Sequence, residues 1–117
     1  MPQRATNPNF MNGVPELLIL KLLRNREMYG YELVQAIRSQ SHDAIAFGEG
    51  VVYPVLHTLE REGALRSRRK NVNGRSRIYY STTPRGTRRL DDLSASWASL
   101  AGAIQKILKG PYGKTVS

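Results

Sequence analysis

Asn73-Gly74, set between two runs of strand-forming residues, restricts the possible folds of this 117-residue chain more than any other feature. A two-residue type I′ connection needs positive φ at both central positions, which Asn and Gly accept, so RSRRKNVNGRSRIYYSTT (residues 66–83) is expected to form a β-hairpin. In its second strand Ile78, Tyr80 and Thr82 alternate with Arg77, Tyr79 and Ser81, which predicts one packed face and one wet face. The same stretch carries Arg66, Arg68, Arg69, Lys70, Arg75 and Arg77. So much like charge weakens a ribbon by self-repulsion unless a polyanion neutralises it.

The charge is concentrated around this hairpin. Of a net +9, residues 49–90 supply +7, with ten Lys/Arg against Glu49, Glu60 and Glu62. Concentration in one contiguous segment favours a nucleic-acid surface over general solubility. The absence of cysteine removes disulfides, thiol nucleophiles and Cys-based metal sites and fits a reducing cytosol. The polar, turn-rich opening MPQRATNPNFMNG is unlike a signal peptide, and LLILKLL is much shorter than the ~20 apolar residues of a membrane span. The expectation is one cytoplasmic domain, near the size at which a partner subunit helps.

Helical periodicity accounts for most of the remainder. PELLILKLLRN, with Pro15 early in it and Leu or Ile on nearly every side, predicts a first helix buried by several neighbours, with some surplus for a second subunit. MYGYELVQAIRSQ predicts a second, starting near Tyr29 or Gly30, with Leu33, Val34 and Ile37 on one stripe; SHDAIAFGEG is a connector. EGVVYPVLHTLEREG predicts a third, ending at Gly63, with Val52, Val55, Leu56 and Leu59 inward and Tyr53, Pro54, His57 and Arg61 outward. Pro54 has no N–H to donate, which places it in that helix's first turn. Beyond the hairpin, Thr83-Pro84 forms an N-cap and first helical residue, opening a helix that Gly110-Pro111 stops after Lys109. That helix is roughly 39 Å long at about 1.5 Å per residue. Leu90, Leu93, Trp97, Leu100, Ile104 and Ile107 recur along it at heptad spacing, a seam suited to lengthwise pairing with a second copy. The stripe could instead pack on its own domain, but so small a core has little room to cover so long a helix.

Three helices followed by a basic hairpin are the order of a winged helix-turn-helix. The expected fold is mainly α with a small β-hairpin. It comprises a loose arm (residues 1–13, anchored by Phe10 and Met11), a winged helix-turn-helix domain (14–83), a dimerisation helix (84–109) and a tail (110–117). In such a domain the third helix presents its N-terminal half to the DNA major groove, and the wing crosses to the adjacent minor groove. Lys and Arg of the wing pair with phosphates, and the thin tip brings Arg75 near a groove floor. The Tyr53 hydroxyl is expected at a phosphate, His57 in a minor DNA role, and Arg61 among the DNA contacts of the same outward side. Of Tyr29 and Tyr31, one packs and the other touches the backbone. Two third helices of a dimer would enter successive major grooves about 34–36 Å apart.

MYGYEL, GVVYPVLHTLEREGAL, GRSRIYYSTTPRG and the single Trp97 in a closing helix together resemble the PadR family of bacterial transcriptional regulators. The resemblance covers residues 14–108. It implies a dimeric winged-helix protein, most often a repressor, bound to a pseudo-palindromic operator in double-stranded DNA. It also implies a single C-terminal helix for dimerisation, joined by the first helix and the N-terminal arm. By the same resemblance DNA contacts fall on Gly50, Val51, Tyr53 and Pro54, and on Gly74, Arg75 and Arg77 of the wing. This chain departs from the family pattern at Val51, where Thr is usual, and at Gly48, often a hydroxyl residue; both departures remove oxygens that could cap the helix or touch a phosphate. In short relatives the aromatic residues of the closing helix line a cleft at the dimer axis. Small neighbours such as Ala101 leave room beside Trp97 for a small planar aromatic effector.

Little here suits catalysis. Two distant His, isolated acids and an Asp91-Asp92 pair attributed to the dipole near a helix start form no metal cluster or nucleophile, and no Gly-rich phosphate loop is present. The expectation is a non-enzymatic regulator without cofactor or metal. The alternatives are a non-specific RNA-binding or nucleoid-type protein, or an interaction module whose basic wing meets an acidic protein.

Overall fold

The computed structural model describes residues 13–110. The expected arm with Phe10 and Met11, and the expected tail, lie outside these apart from Gly13 and Gly110. The elements run α1 (Val14–Asn25), β1 (Met28–Tyr29), α2 (Gly30–Gln40), α3 (Glu49–Arg61), β2 (Leu65–Val72), β3 (Arg75–Thr82) and α4 (Pro84–Lys109). No helix among the described residues is long and apolar enough to cross a membrane.

The core is made where the helical stripes meet. Ile19, Leu20 and Leu23 of α1, Leu33 of α2, and Val52, Leu56 and Leu59 of α3 are fully enclosed, and Phe47 from the connector fills the space between them. Val55, expected inward, is half-buried at the edge of this cluster. Pro54 is the sixth residue of α3, a turn deeper than expected. Its missing N–H leaves the Gly50 carbonyl without its usual intrahelical donor.

The hairpin forms as its turn residues require. Val72 pairs with Arg75, and Asn73 and Gly74 have φ of 53° and 78°, the double positive that a type I′ turn demands. Short β1, which no periodicity marks, adds to the other side of β3, giving the antiparallel order β1-β3-β2. The register sets Leu65, Met28, Ile78 and Tyr80 on the face against the helices. The opposite face is not wet throughout. Tyr79 there is only 7% exposed, because neighbouring side chains of the sheet roof it over.

The Thr83 hydroxyl accepts from the Gly86 N–H at 3.1 Å and donates to the Gly63 carbonyl at 2.7 Å, so the cap of α4 is also a tether to the end of α3. Two expectations for α4 are corrected. Leu90 is 2% exposed and belongs to the protomer's own core, which removes it from any seam, and Leu93 is half-buried against the same core. Asp91 and Asp92 are the eighth and ninth residues of the helix, beyond the first turn where the dipole acts; Asp91 instead pairs with Arg24 of α1 at 3.7 Å. Past Leu93 the stripe emerges from the domain. Trp97 (46%), Leu100 (53%), Ile104 and Ile107 are exposed, together with Leu108, which the heptad spacing did not include.

Candidate nucleic-acid interface

Tyr53 of α3 packs directly on the backbone of Gly30, the first residue of α2. A Cβ at Gly30 would overlap the tip of the Tyr53 side chain, pressing on Cζ and lying 2.5 Å from both Cε1 and Oη. The glycine of MYGYEL therefore leaves open the space in which the tip of the Tyr53 ring sits. Burial, then the Glu49 carboxylate and Tyr29, push the Tyr53 phenol above its ordinary pKa.

Beside this contact a cleft of about 560 Å³ opens between the helices and the wing. Six residues singled out in the sequence meet there: Tyr29, Tyr31, Tyr53, His57, Arg75 and Arg77, over Ile78 and Tyr80. The tyrosines flanking Gly30 divide their roles. Tyr29 and Tyr79 meet edge to face, with centroids 5.3 Å apart, and the Arg77 guanidinium lies 4.4 Å over the Tyr29 ring. Tyr31 is 47% exposed and is the one available to a ligand. The His57 ring stands 6.3 Å from that of Tyr53.

The remaining predicted contacts lie outside the cleft. Gly50 is exposed and Val51 half-buried in the first turn of α3. Gly48 is the N-cap of that helix with no side-chain bond, the direct consequence of lacking a hydroxyl there. Pro54 is exposed on another side, along a groove shared with Glu16 of α1. Arg61 is exposed near the end of α3, where it donates to Thr58 at 3.3 Å. Gly74 is exposed at the wing tip.

Sequence reasoning missed Glu27. Its carboxylate accepts from Arg68 Nε at 3.1 Å, Arg68 Nη2 at 2.8 Å and Lys70 Nζ at 2.5 Å, across β3 from β1 to β2. The hydrogen bonds from Arg68 and Lys70 hold the Glu27 carboxyl down at about 2. Lys70 also lies 4.4 Å over the Tyr79 ring, so this ion-pair group, with Tyr29, roofs the buried tyrosine. The partners are 41 and 43 residues apart, and no local pattern links them. Arg89 is likewise held by Glu16 at 3.3 Å and Glu62 at 2.6 Å. Part of the +7 segment is thus neutralised within the fold. The side chains of Arg66 and Arg75 have no hydrogen-bond or ion-pair partner among the described residues. Nor do the described residues bring together three His, Asp or Glu able to hold a metal ion.

A three-helix body whose third helix shares one open cleft with a basic β-wing, followed by a long helix, is a winged helix-turn-helix domain with a C-terminal helical extension. Residues 19–92 match the transcriptional regulator PadR-like family. The chain is 34% identical over 95 residues to transcriptional regulator Rv3488 of Mycobacterium tuberculosis, spanning 81% of this chain and 86% of that protein. Among solved structures it is similar to a PadR family transcriptional regulator from Eggerthella lenta, with 31% identity, a TM-score of 0.76 and 88% of each chain covered. It is also similar to a transcriptional regulator from Clostridium thermocellum, with 26% identity, a TM-score of 0.81, and 90% and 100% of the two chains covered. The chain belongs to the PadR-like family of transcriptional regulators, a family of regulators and not of enzymes.

Because the tip of Tyr53 occupies the space beside Gly30, Gly30→Ala should displace that ring and cost about 1 kcal/mol of stability, the low end of overpacking. Combined with Tyr53→Ala, most of that cost should vanish. Urea unfolding of the two single variants and the double variant measures the coupling.

Proposed function

We propose that this chain is a sequence-specific regulator that binds double-stranded DNA as a homodimer, acting as a repressor at pseudo-palindromic operators. The observation that carries this reading is the convergence of Tyr31, Tyr53 and His57 with Arg75 and Arg77 on one open cleft. The exposed side of α3 supplies groups for a major groove, and the wing supplies cations for the phosphates beside it. Gly50 and Val51, in the first turn of α3, extend that surface toward the base edges. The exposed stripe from Trp97 to Ile107 supports dimerisation. Leucine, isoleucine and tryptophan side chains on one helix face gain on the order of 25 cal/mol for each Å² withdrawn from water by a second copy.

The dimer axis also offers a place for a small planar aromatic effector that releases the operator. On one protomer Trp97 borders a groove of about 140 Å³ with Val14, Leu17, Leu93, Ser96 and Leu100. Ala101, expected to line such a site, is half-buried and not part of that groove; the effector would therefore contact the Leu17–Trp97 side.

Competition binding tests the central reading. The chain should prefer its own promoter over random duplex by at least about 10³, whereas equal affinity would indicate a nucleoid-type protein. Arg75→Ala should weaken binding to all duplexes and flatten the salt slope by about one unit; an unchanged slope would separate the wing tip from DNA. Leu100→Asp should give monomers in sedimentation and poor operator binding, while a stable dimer would relocate the interface. Titration with planar aromatic compounds should quench or shift Trp97 fluorescence and lower operator affinity in parallel. A flat response across a broad panel would remove the effector.

A further inference from the structure

We propose that Glu27 tunes the wing's affinity for DNA by withholding two of its cations, Arg68 and Lys70, from phosphate. The inference rests on the DNA-binding reading above. Strand register places Arg66, Arg68 and Lys70 of β2 on the same outer face as Arg75 and Arg77 of β3. Left alone, that face would be a ladder of five free cations along one ribbon, able to grip any polyanion.

Glu27 divides the ladder. It engages Arg68 through both carboxylate oxygens, and Lys70 through one of them. A bidentate guanidinium–carboxylate pair uses the edge of the fork that would otherwise clasp a phosphate. Lys70 is further held over the Tyr79 ring. Arg66 and Arg75 make no such bonds among the described residues, and Arg77 is steadied by the Tyr29 ring alone, with its charge uncompensated.

The consequence follows from how duplexes are bound. Phosphate pairing supplies essentially all of non-specific affinity, in proportion to the number of cations that displace condensed counterions. Base contacts supply the specificity. An internal carboxylate that occupies two of five wing cations lowers the first quantity and leaves Arg75, at the tip, and the α3 cleft untouched. The ion-pair group also roofs Tyr79, so a purely structural role must be separated from this one by a readout that structure alone would not move. The salt slope is such a readout: loosening a wing weakens binding, but it does not add phosphate contacts.

The experiment is a fluorescence-anisotropy titration of the full chain with a random-sequence duplex over a series of salt concentrations. Glu27→Gln should bind this duplex more tightly at low salt. It should also steepen the dependence of log K on log salt by about one to two units, at about 0.9 per added phosphate contact. The combined variant Arg68→Met with Lys70→Met should keep the wild-type slope, since the deleted charges are already engaged. A folded Glu27→Gln protein with an unchanged or shallower slope overturns the proposal. If that variant does not fold, the combined variant decides alone: a slope shallower by one to two units means that Arg68 and Lys70 already meet phosphate, and the proposal fails. A wild-type chain that binds no duplex would instead remove the DNA-binding reading, and this inference with it.

Discussion

The seating of Tyr53 on Gly30 is the contact that joins the two helices at the candidate interface. It is possible only because Gly30 lacks a Cβ, and it places the N-terminal end of α2 against the second turn of α3. Val52, Leu56 and Leu59 hold the other side of α3 in the core, so α3 is clamped between an apolar floor and an aromatic stop. Its exposed side then has one orientation relative to Tyr31, whose exposure follows from the same geometry. A larger residue at position 30 would displace the Tyr53 ring from the entrance of α2, and so alter the cleft that this ring lines.

The sheet aims the second half of the surface. β1 contributes only Met28 and Tyr29, yet those two residues tie the wing to the entrance of α2, because Tyr29 is at once a partner of Tyr79 in the register and the N-cap of the helix. Arg77 lies on Tyr29, and Lys70 lies on Tyr79. Each stacking contact of this kind is worth on the order of 0.5–1 kcal/mol at a partly exposed site. Their larger effect is positional: a ribbon that would otherwise swing about the Leu65 and Thr82 ends is held against the body along one edge.

Much of this was legible in the sequence, and what was not has a common cause. The turn at Asn73-Gly74, the cap at Thr83 and the inward stripe of α3 depend on φ preferences, hydrogen-bond donors a few residues away, and helical period, all of which are local. The clustering of Tyr31, Tyr53, His57, Arg75 and Arg77 followed from the order of the elements. Periodicity records which residues share a face but not what covers it. That is why Leu90 looked like part of the seam although its own domain encloses it, and why Tyr79 looked wet although Lys70 and Tyr29 cover it. Charge counting fails for the same reason. Arg68, Lys70 and Arg89 add to the local total, yet they pair with acids that lie far away in the chain.

The burial of Leu90 bears on how a signal at Trp97 could reach the cleft. Helix α4 is continuous from its Thr83 cap, which grips the Gly63 carbonyl, through Arg89, which grips Glu16 and Glu62, to the exposed stripe. Its first two turns are therefore part of the domain, with Leu90 as the anchoring side chain, and its later turns project from it. From Pro84 to Trp97 the helix spans about 20 Å at about 1.5 Å per residue, with no proline or glycine pair at which it would bend. A change in how two such helices cross would turn each domain as a rigid body, because the anchored turns leave no hinge between stripe and cleft. Under the proposed dimeric arrangement, the separation of the two clefts, and not the shape of either one, is the quantity an effector beside Trp97 would alter.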